Sequence, residues 1–167
     1  KEVLTGYAKH YQTGEVIPDE LVNKILAART FNQGFMTTEL CAASILDMKW
    51  HELTSVEGVD IVKFEAQACK EMGLIDEIIP RYRTTYFNHI FNSGYSAGYY
   101  SYLWSEVLAD DAWDKLKADG VFNKETAKSF RETFLEMGGS EEPMTLYKQF
   151  RGADPDPAAL MRARGLK

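Results

Sequence analysis

Apolar residues recur at three- and four-residue steps almost throughout the chain, and the pattern is interrupted by glycine, proline and capping residues rather than by alternation. It predicts an all-α protein with no strand. A first short helix is expected over 3–10, closed by the polar turn Gln12-Thr13-Gly14. Pro18 suits the first turn of a second helix running to about Arg29. Its Asp19 and Glu20 match the positive helix end, and Leu21, Val22, Ile25 and Leu26 form a buried stripe. Thr37 or Thr38 is placed to cap a third helix, whose apolar faces are Leu40, Ala43, Ile45, Leu46 and Trp50. Asp60 caps a fourth, with Ile61, Phe64, Ala68 and Met72 along one side until Gly73 stops it. Over 75–93, Pro80 and the Asn92-Ser93-Gly94 cluster imply a short helix leading into a loop. A longer helix is expected over about 99–117. Asn123 caps the next, with Phe130, Phe134 and Leu135 inward before Gly138-Gly139. Ser140 and Pro143 open a helix carrying Met144, Tyr147 and Phe150, and Asp156-Pro157 starts the last one, stopped at Gly165. No repeat or linker divides the chain, so residues 1–167 are expected to form one helical unit.

At 167 residues the chain is long enough to bury roughly 68–70% of its unfolded surface around one core. Its 19 basic and 25 acidic residues give a net charge of −6, which argues against nucleic-acid binding, since a phosphate footprint needs clustered Lys and Arg. No run approaches the length of a membrane span, and the first residues, Lys1-Glu2-Val3-Leu4-Thr5, do not read as a signal peptide. The absence of an initiator Met suggests part of a longer protein. Cys41 and Cys69 lie inside apolar helical patterns, not at metal or redox spacing, and read as buried thiols in a reducing compartment.

The three histidines, His10, His51 and His89, are dispersed. A helical zinc site commonly places two His at i and i+4 with Glu between them. His51-Glu52 begins that pattern, but position 55 is Ser55, so His51 reads as an ordinary helix-end residue and no metal site is expected in the chain. The segment that stands out is Phe87-Asn88-His89-Ile90-Phe91-Asn92-Ser93-Gly94-Tyr95-Ser96-Ala97-Gly98-Tyr99-Tyr100-Ser101-Tyr102-Leu103-Trp104-Ser105-Glu106. Helical spacing puts Tyr99, Tyr102 and Glu106 on one face and turns Tyr100, Leu103, Trp104 and Val107 toward the core. Gly94 and Gly98 permit unusual dihedrals and close backbone approach. Two readings follow from these residues: aromatic packing, or phenols and His89 donating hydrogen bonds to a bound carbonyl in the manner of an oxyanion hole.

The run from His89 to Glu106 resembles the substrate-binding loop and following helix of the thimet oligopeptidase family of zinc metallopeptidases. Phe31-Asn32-Gln33-Gly34-Phe35 through Leu46-Asp47-Met48-Lys49-Trp50-His51 agrees, as does the stretch from Phe130-Arg131 through Gly138-Gly139-Ser140 to Phe150-Arg151-Gly152 and Gly165-Leu166. The flavour is that of the bacterial peptidyl-dipeptidase branch. The resemblance implies the all-α C-terminal part of a two-lobed enzyme that cleaves short peptides. Its single zinc would be bound by HExxH and a further Glu lying before Lys1, the N-terminal remainder of the same peptidase. It implies that zinc-bound water attacks the peptide carbonyl, that Tyr102 donates to the carbonyl oxygen with His89 and Tyr95 as nearby donors, and that Tyr99, with Gly94 and Gly98, lines the substrate channel. The spacing from His89 to Tyr95 is one residue longer than in the thimet branch. The Phe31–Phe35 turn and Arg151 read as packing elements. A non-catalytic helical scaffold and an oligopeptidase cutting internally are the alternatives to release of C-terminal dipeptides. The expected compartment is the cytoplasm, or the periplasm if a signal precedes the chain.

Overall fold

Helices make up almost all the regular structure in the computed structural model, which describes residues 2–167. In chain order they are α1 (Glu2–Tyr7), α2 (Asp19–Ala28), α3 (Gln33–His51), α4 (Ile61–Glu71), a 3₁₀ turn (Thr84–Tyr86), α5 (Asn88–Phe91), α6 (Ser101–Asp119), α7 (Lys124–Phe130), a π turn (Arg131–Leu135), α8 (Pro143–Arg151) and α9 (Ala158–Ala163). Among the described residues the β-structure is a single antiparallel bridge between Lys9 and Val16. That bridge ends α1 at Tyr7, short of the expected His10.

Local chemistry sets several boundaries as the sequence leads one to expect. The Asp60 carboxylate accepts from the Lys63 N–H at 3.1 Å, and the Asn123 side chain accepts from the Glu125 and Thr126 N–H groups, satisfying donors that an uncapped helix end leaves unpaired. Asp156 accepts from the Ala158 N–H at the start of α9. Other expectations are corrected. Helix α3 begins at Gln33 from a left-handed Asn32, with φ 55°, and Thr38 lies inside it, its hydroxyl donating back to the Gly34 carbonyl at 2.8 Å. Thr37 and Thr38 are therefore not caps. Phe31 and Phe35 are exposed, so this stretch does not pack as expected. On α2 only Val22 is buried, while Leu21, Ile25 and Leu26 face outward. Ile61 and Leu135 are exposed as well, and Cys41 and Cys69 are only half-buried, unpaired thiols.

Two apolar clusters pack along α3. Leu46 and Trp50 meet Ala68 of α4, with Phe64 tilted against the indole at 4.1 Å between ring centroids. One turn earlier along the same face, Ala43 meets Phe87, Ile90 and Tyr99. Buried carboxylates fix the segments between them. Glu65 accepts from the Thr84 N–H at 2.6 Å and from Arg83, and the Trp50 indole N–H donates to the Thr84 hydroxyl at 2.9 Å. These bonds bring the 3₁₀ turn, and with it α5, against α3.

The C-terminal half is tied by Asp111 of α6, which has no solvent exposure. Arg151 grips it with Nε and Nη2, each at 3.0 Å, and the Tyr147 hydroxyl donates to it at 2.5 Å. This two-pronged contact is the packing role expected for Arg151. Burial pushes the Asp111 carboxyl upward, but hydrogen bonds from Tyr147 and Arg151 and the arginine charge outweigh it and hold the group below its ordinary value. Burial and then the Asp111 carboxylate push the Tyr147 phenol well above the tyrosine range.

Replacing Arg151 with Met strands a buried carboxylate and should cost about 3 kcal/mol of stability at neutral pH. Because the Asp111 carboxyl titrates lower when folded than when unfolded, its stabilising contribution is present above roughly pH 4 and is lost as the pH falls through the folded value. In Arg151→Met burial dominates and the sign reverses. Thermal unfolding of both proteins across pH should therefore show midpoints that differ most near neutrality and converge below about pH 4.

Candidate functional site

A cleft of about 790 Å³ opens between α3 and the aromatic segment that precedes and begins α6. One wall carries Tyr82, His89, Tyr99 and Tyr102, with Glu106 one turn further along α6. The other carries Gln33, Met36 and Leu40 of α3, with Arg29 beside them and Arg164 closing the C-terminal edge. Arg164 is held there by donating to the Thr37 hydroxyl at 2.7 Å and by pairing with Glu106.

The wall is built from a short chain of turns. Helix α5 is one turn long, and residues 94–100 continue it as successive turns, with Gly98 N–H donating to the Tyr95 carbonyl at 2.9 Å and Ser101 N–H to the Gly98 carbonyl at 3.0 Å. The Ser96 hydroxyl ties the loop back to the Ile90 carbonyl at 2.6 Å. From α3 the buried Asp47 reaches across, one oxygen accepting from the Ala97 N–H at 3.0 Å and the other from the Tyr99 N–H at 2.9 Å. His51 stands one turn beyond Asp47, its Nδ1 2.9 Å from the Asp47 backbone carbonyl oxygen and also 2.9 Å from the carboxylate oxygen that meets Ala97. It sits at the end of α3, as the sequence implied.

This framework brings His89, Tyr95, Tyr99 and Tyr102 together. Tyr95 and Tyr102 stack with ring centroids 5.2 Å apart and planes 13° apart, and Tyr99 meets Tyr102 at 5.1 Å. The His89 ring lies 5.6 Å from Tyr95, 6.2 Å from Tyr99 and 6.4 Å from Tyr102. Tyr102 is 40% exposed and Tyr99 only 3%, so the first is open to the cleft while the second is mostly wall. A hydrogen bond with Tyr95 is the largest influence on the Tyr102 phenol, and with burial and the neighbouring tyrosines it raises the pKa above the ordinary value. Burial does the same to Tyr99, against the opposing charge of Arg81. Both phenols thus keep their protons at neutral pH and serve as donors.

Three expectations change. Gly94 and Gly98 take no positive φ; the left-handed residue of the loop is Ala97, with φ 53°. A Cβ on Gly94 would meet nothing, and one on Gly98 would make only ordinary contacts, so neither glycine is needed for close approach. Tyr100 and Trp104 are exposed, at 54% and 44%, and do not face the core, although Val107 does. Tyr100 is helical and its carbonyl accepts from the Trp104 N–H at 3.1 Å, so the two share one face of α6, and no described element covers that face. Asp47 and Arg164 were not singled out from sequence. Asp47 was legible as a carboxylate in the buried register of α3, on the stripe of Ala43, Leu46 and Trp50.

Among the described residues no group of three His, Cys, Asp or Glu side chains is placed to hold a metal ion. No helix among them is long and apolar enough to cross a membrane. The chain belongs to Peptidase family M3, whose model matches residues 1–166. It is 42% identical to the dipeptidyl carboxypeptidase of Escherichia coli over 168 residues, 38% identical to oligopeptidase A of Salmonella typhimurium over 167, and 30% identical to saccharolysin of Saccharomyces cerevisiae over 170. These alignments cover 99%, 99% and 100% of this chain but 24%, 25% and 24% of the relatives, so the chain spans about a quarter of their length.

Tyr95→Phe should bring the ionisation of Tyr102 back toward the ordinary tyrosine range, because it removes the largest cause of the upward shift. Resonances of carbon-labelled tyrosine rings followed through an alkaline titration measure this directly. An unchanged Tyr102 transition would show that the stacked ring, not its hydroxyl, sets the shift.

Proposed function

We propose that this chain is the C-terminal, substrate-side part of a zinc metallopeptidase, in which Tyr102 donates its hydroxyl proton in a hydrogen bond to the carbonyl oxygen of the peptide bond being cleaved. The observation that carries the reading is that His89, Tyr99 and Tyr102 line one cleft, with Tyr95 stacked on Tyr102 and the Tyr102 side chain protonated and partly exposed. Negative charge develops on a carbonyl oxygen when the carbon is attacked, and a fixed donor stabilises that charge more than it stabilises the ground state. Tyr95 and His89 support the same donor row, and Tyr99 with Tyr82 and Leu40 forms the surface along which a peptide lies. Residues 1–167 act as one helical unit in this role. In this reading the zinc is held by the N-terminal remainder of the enzyme, which the relatives' length, about four times that of this chain, leaves room for. The unpaired thiols of Cys41 and Cys69 favour a reducing, cytoplasmic setting.

Similarity to a dipeptidyl carboxypeptidase favours release of C-terminal dipeptides from short peptides, and similarity to oligopeptidase A favours internal cleavage. Mass spectrometry of products from a free and a C-terminally amidated peptide separates the two. The first reading expects dipeptides from the free peptide and little cleavage of the amide.

In the complete enzyme Tyr102→Phe should lower kcat by about 10²–10³, with KM changed far less, because the ring stays and only the donor is lost. Tyr100→Phe should leave kcat within a fewfold, since that phenol points to solvent and does not line the cleft. Steady-state kinetics at saturating peptide, with zinc content measured in parallel, checks both. Near-normal kcat in Tyr102→Phe would make the tyrosine row packing alone. The isolated chain is expected neither to bind zinc stoichiometrically nor to hydrolyse peptides, which metal analysis and a peptidase assay test.

A further inference from the structure

Asp47 has no solvent exposure, does not line the cleft, and spends both carboxylate oxygens on the backbone of a segment about fifty residues further along the chain. A buried carboxylate desolvated this completely persists where its acceptor sites are filled, and here one backbone donor fills each oxygen: the Ala97 N–H on one and the Tyr99 N–H on the other. The two amides flank the peptide units around Ala97 and Gly98. Ala97 itself sits at φ 53°, a conformation that crowds the Cβ of an L-residue and that a free loop of this sequence would leave.

From this we infer that Asp47 is a positioning residue: by holding the amides of Ala97 and Tyr99 it keeps Ala97 in the left-handed region and so aims the first turn of α6, where Tyr102 stands. The inference rests on the reading of Tyr102 as the carbonyl donor. Mechanically the path is short. The Tyr99 N–H is fixed to Asp47, the Tyr99 carbonyl accepts from the Tyr102 N–H at 3.3 Å, and the Tyr99 ring packs against the Tyr102 ring. Releasing Ala97 rotates the peptides on either side of it and re-aims both rings. His51 lies behind the carboxylate, its Nδ1 within hydrogen-bond distance of the Asp47 backbone carbonyl.

The test uses the complete enzyme and two independent ways of loosening the loop. Asp47→Asn keeps the size of the side chain but replaces one acceptor oxygen with an NH₂ group that opposes a backbone N–H. Ala97→Val leaves Asp47 intact and makes the left-handed conformation still less favourable, at a half-buried position where folding of the core is not at stake. Each should raise hydrogen exchange at the amides of residues 97 and 99 by about tenfold or more, while amides in the second half of α6 keep their protection. Each should lower kcat by about tenfold or more, with KM and zinc content changed less. Adding Ala97→Gly to Asp47→Asn should recover several-fold in kcat, because glycine takes a positive φ without the steric penalty. Unchanged exchange at 97 and 99 in Asp47→Asn overturns the inference, as does exchange that rises throughout the protein with a collapse in thermal midpoint, which would make Asp47 a general core group. Local loss of protection with normal kcat, while Tyr102→Phe is impaired, also overturns it. If Tyr102→Phe keeps normal kcat, the donor reading itself falls, and the exchange data separate that failure from a failure of the Asp47 clamp.

Discussion

A carboxylate taken out of water has to be matched by donors, and the architecture of this chain follows from three such matches. Asp47, Glu65 and Asp111 are all buried, and each is satisfied by groups that arrive from a later part of the sequence: Asp47 by the loop before α6, Glu65 by Arg83 and the 3₁₀ turn, and Asp111 by α8. Apolar burial holds the helices near one another without direction, whereas these bonds specify which backbone atom meets which side chain. Failure to make one of them leaves an unpaired charge in the interior, so the alternatives to the observed docking are costly.

The consequence for the cleft is a division of labour between α3 and α6. Helix α3 contributes Ala43 and Leu46 to the two apolar clusters and Asp47 to the loop from the same buried face, so the wall carrying the tyrosines is referenced to the core itself. Helix α6 presents Tyr102 and Glu106 toward the cleft and turns Asp111 into the opposite interior, where Arg151 and Tyr147 anchor it. The row of rings thus stands between two buried carboxylates, Asp47 holding the turns before α6 and Asp111 anchoring the middle of α6.

Much of this was legible in the sequence where local chemistry decides the outcome. Asp60 and Asn123 cap because a short side-chain oxygen in front of an apolar run satisfies free N–H groups, and that logic needs no tertiary context. The grouping of Tyr99, Tyr102 and Glu106 on one face followed from helical spacing alone. What was not legible depends on partners distant in sequence. Leu21, Ile25 and Leu26 have the spacing of a buried stripe, yet only Val22 finds a neighbour, because periodicity records which face is apolar and not what lies against it. Thr37 and Thr38 look like caps, but a left-handed Asn32 starts α3 earlier and the Thr38 hydroxyl turns back into the helix. Gly94 and Gly98 drew attention as the flexible positions, whereas the strained residue is Ala97, whose conformation is set by Asp47 and cannot be read from alanine.

The four rings of His89, Tyr95, Tyr99 and Tyr102 lie edge to face and face to face with centroid separations of 5.1 to 6.4 Å, so that each is part of its neighbours' surroundings. Groups in such mutual contact do not contribute independently: removing one ring alters the orientation, solvation and proton affinity of the others, and paired substitutions depart from the sum of single ones. A change at Tyr95 or Tyr99 alters the surroundings of the Tyr102 hydroxyl, and the tolerated variants of one position depend on which residues already occupy the other three.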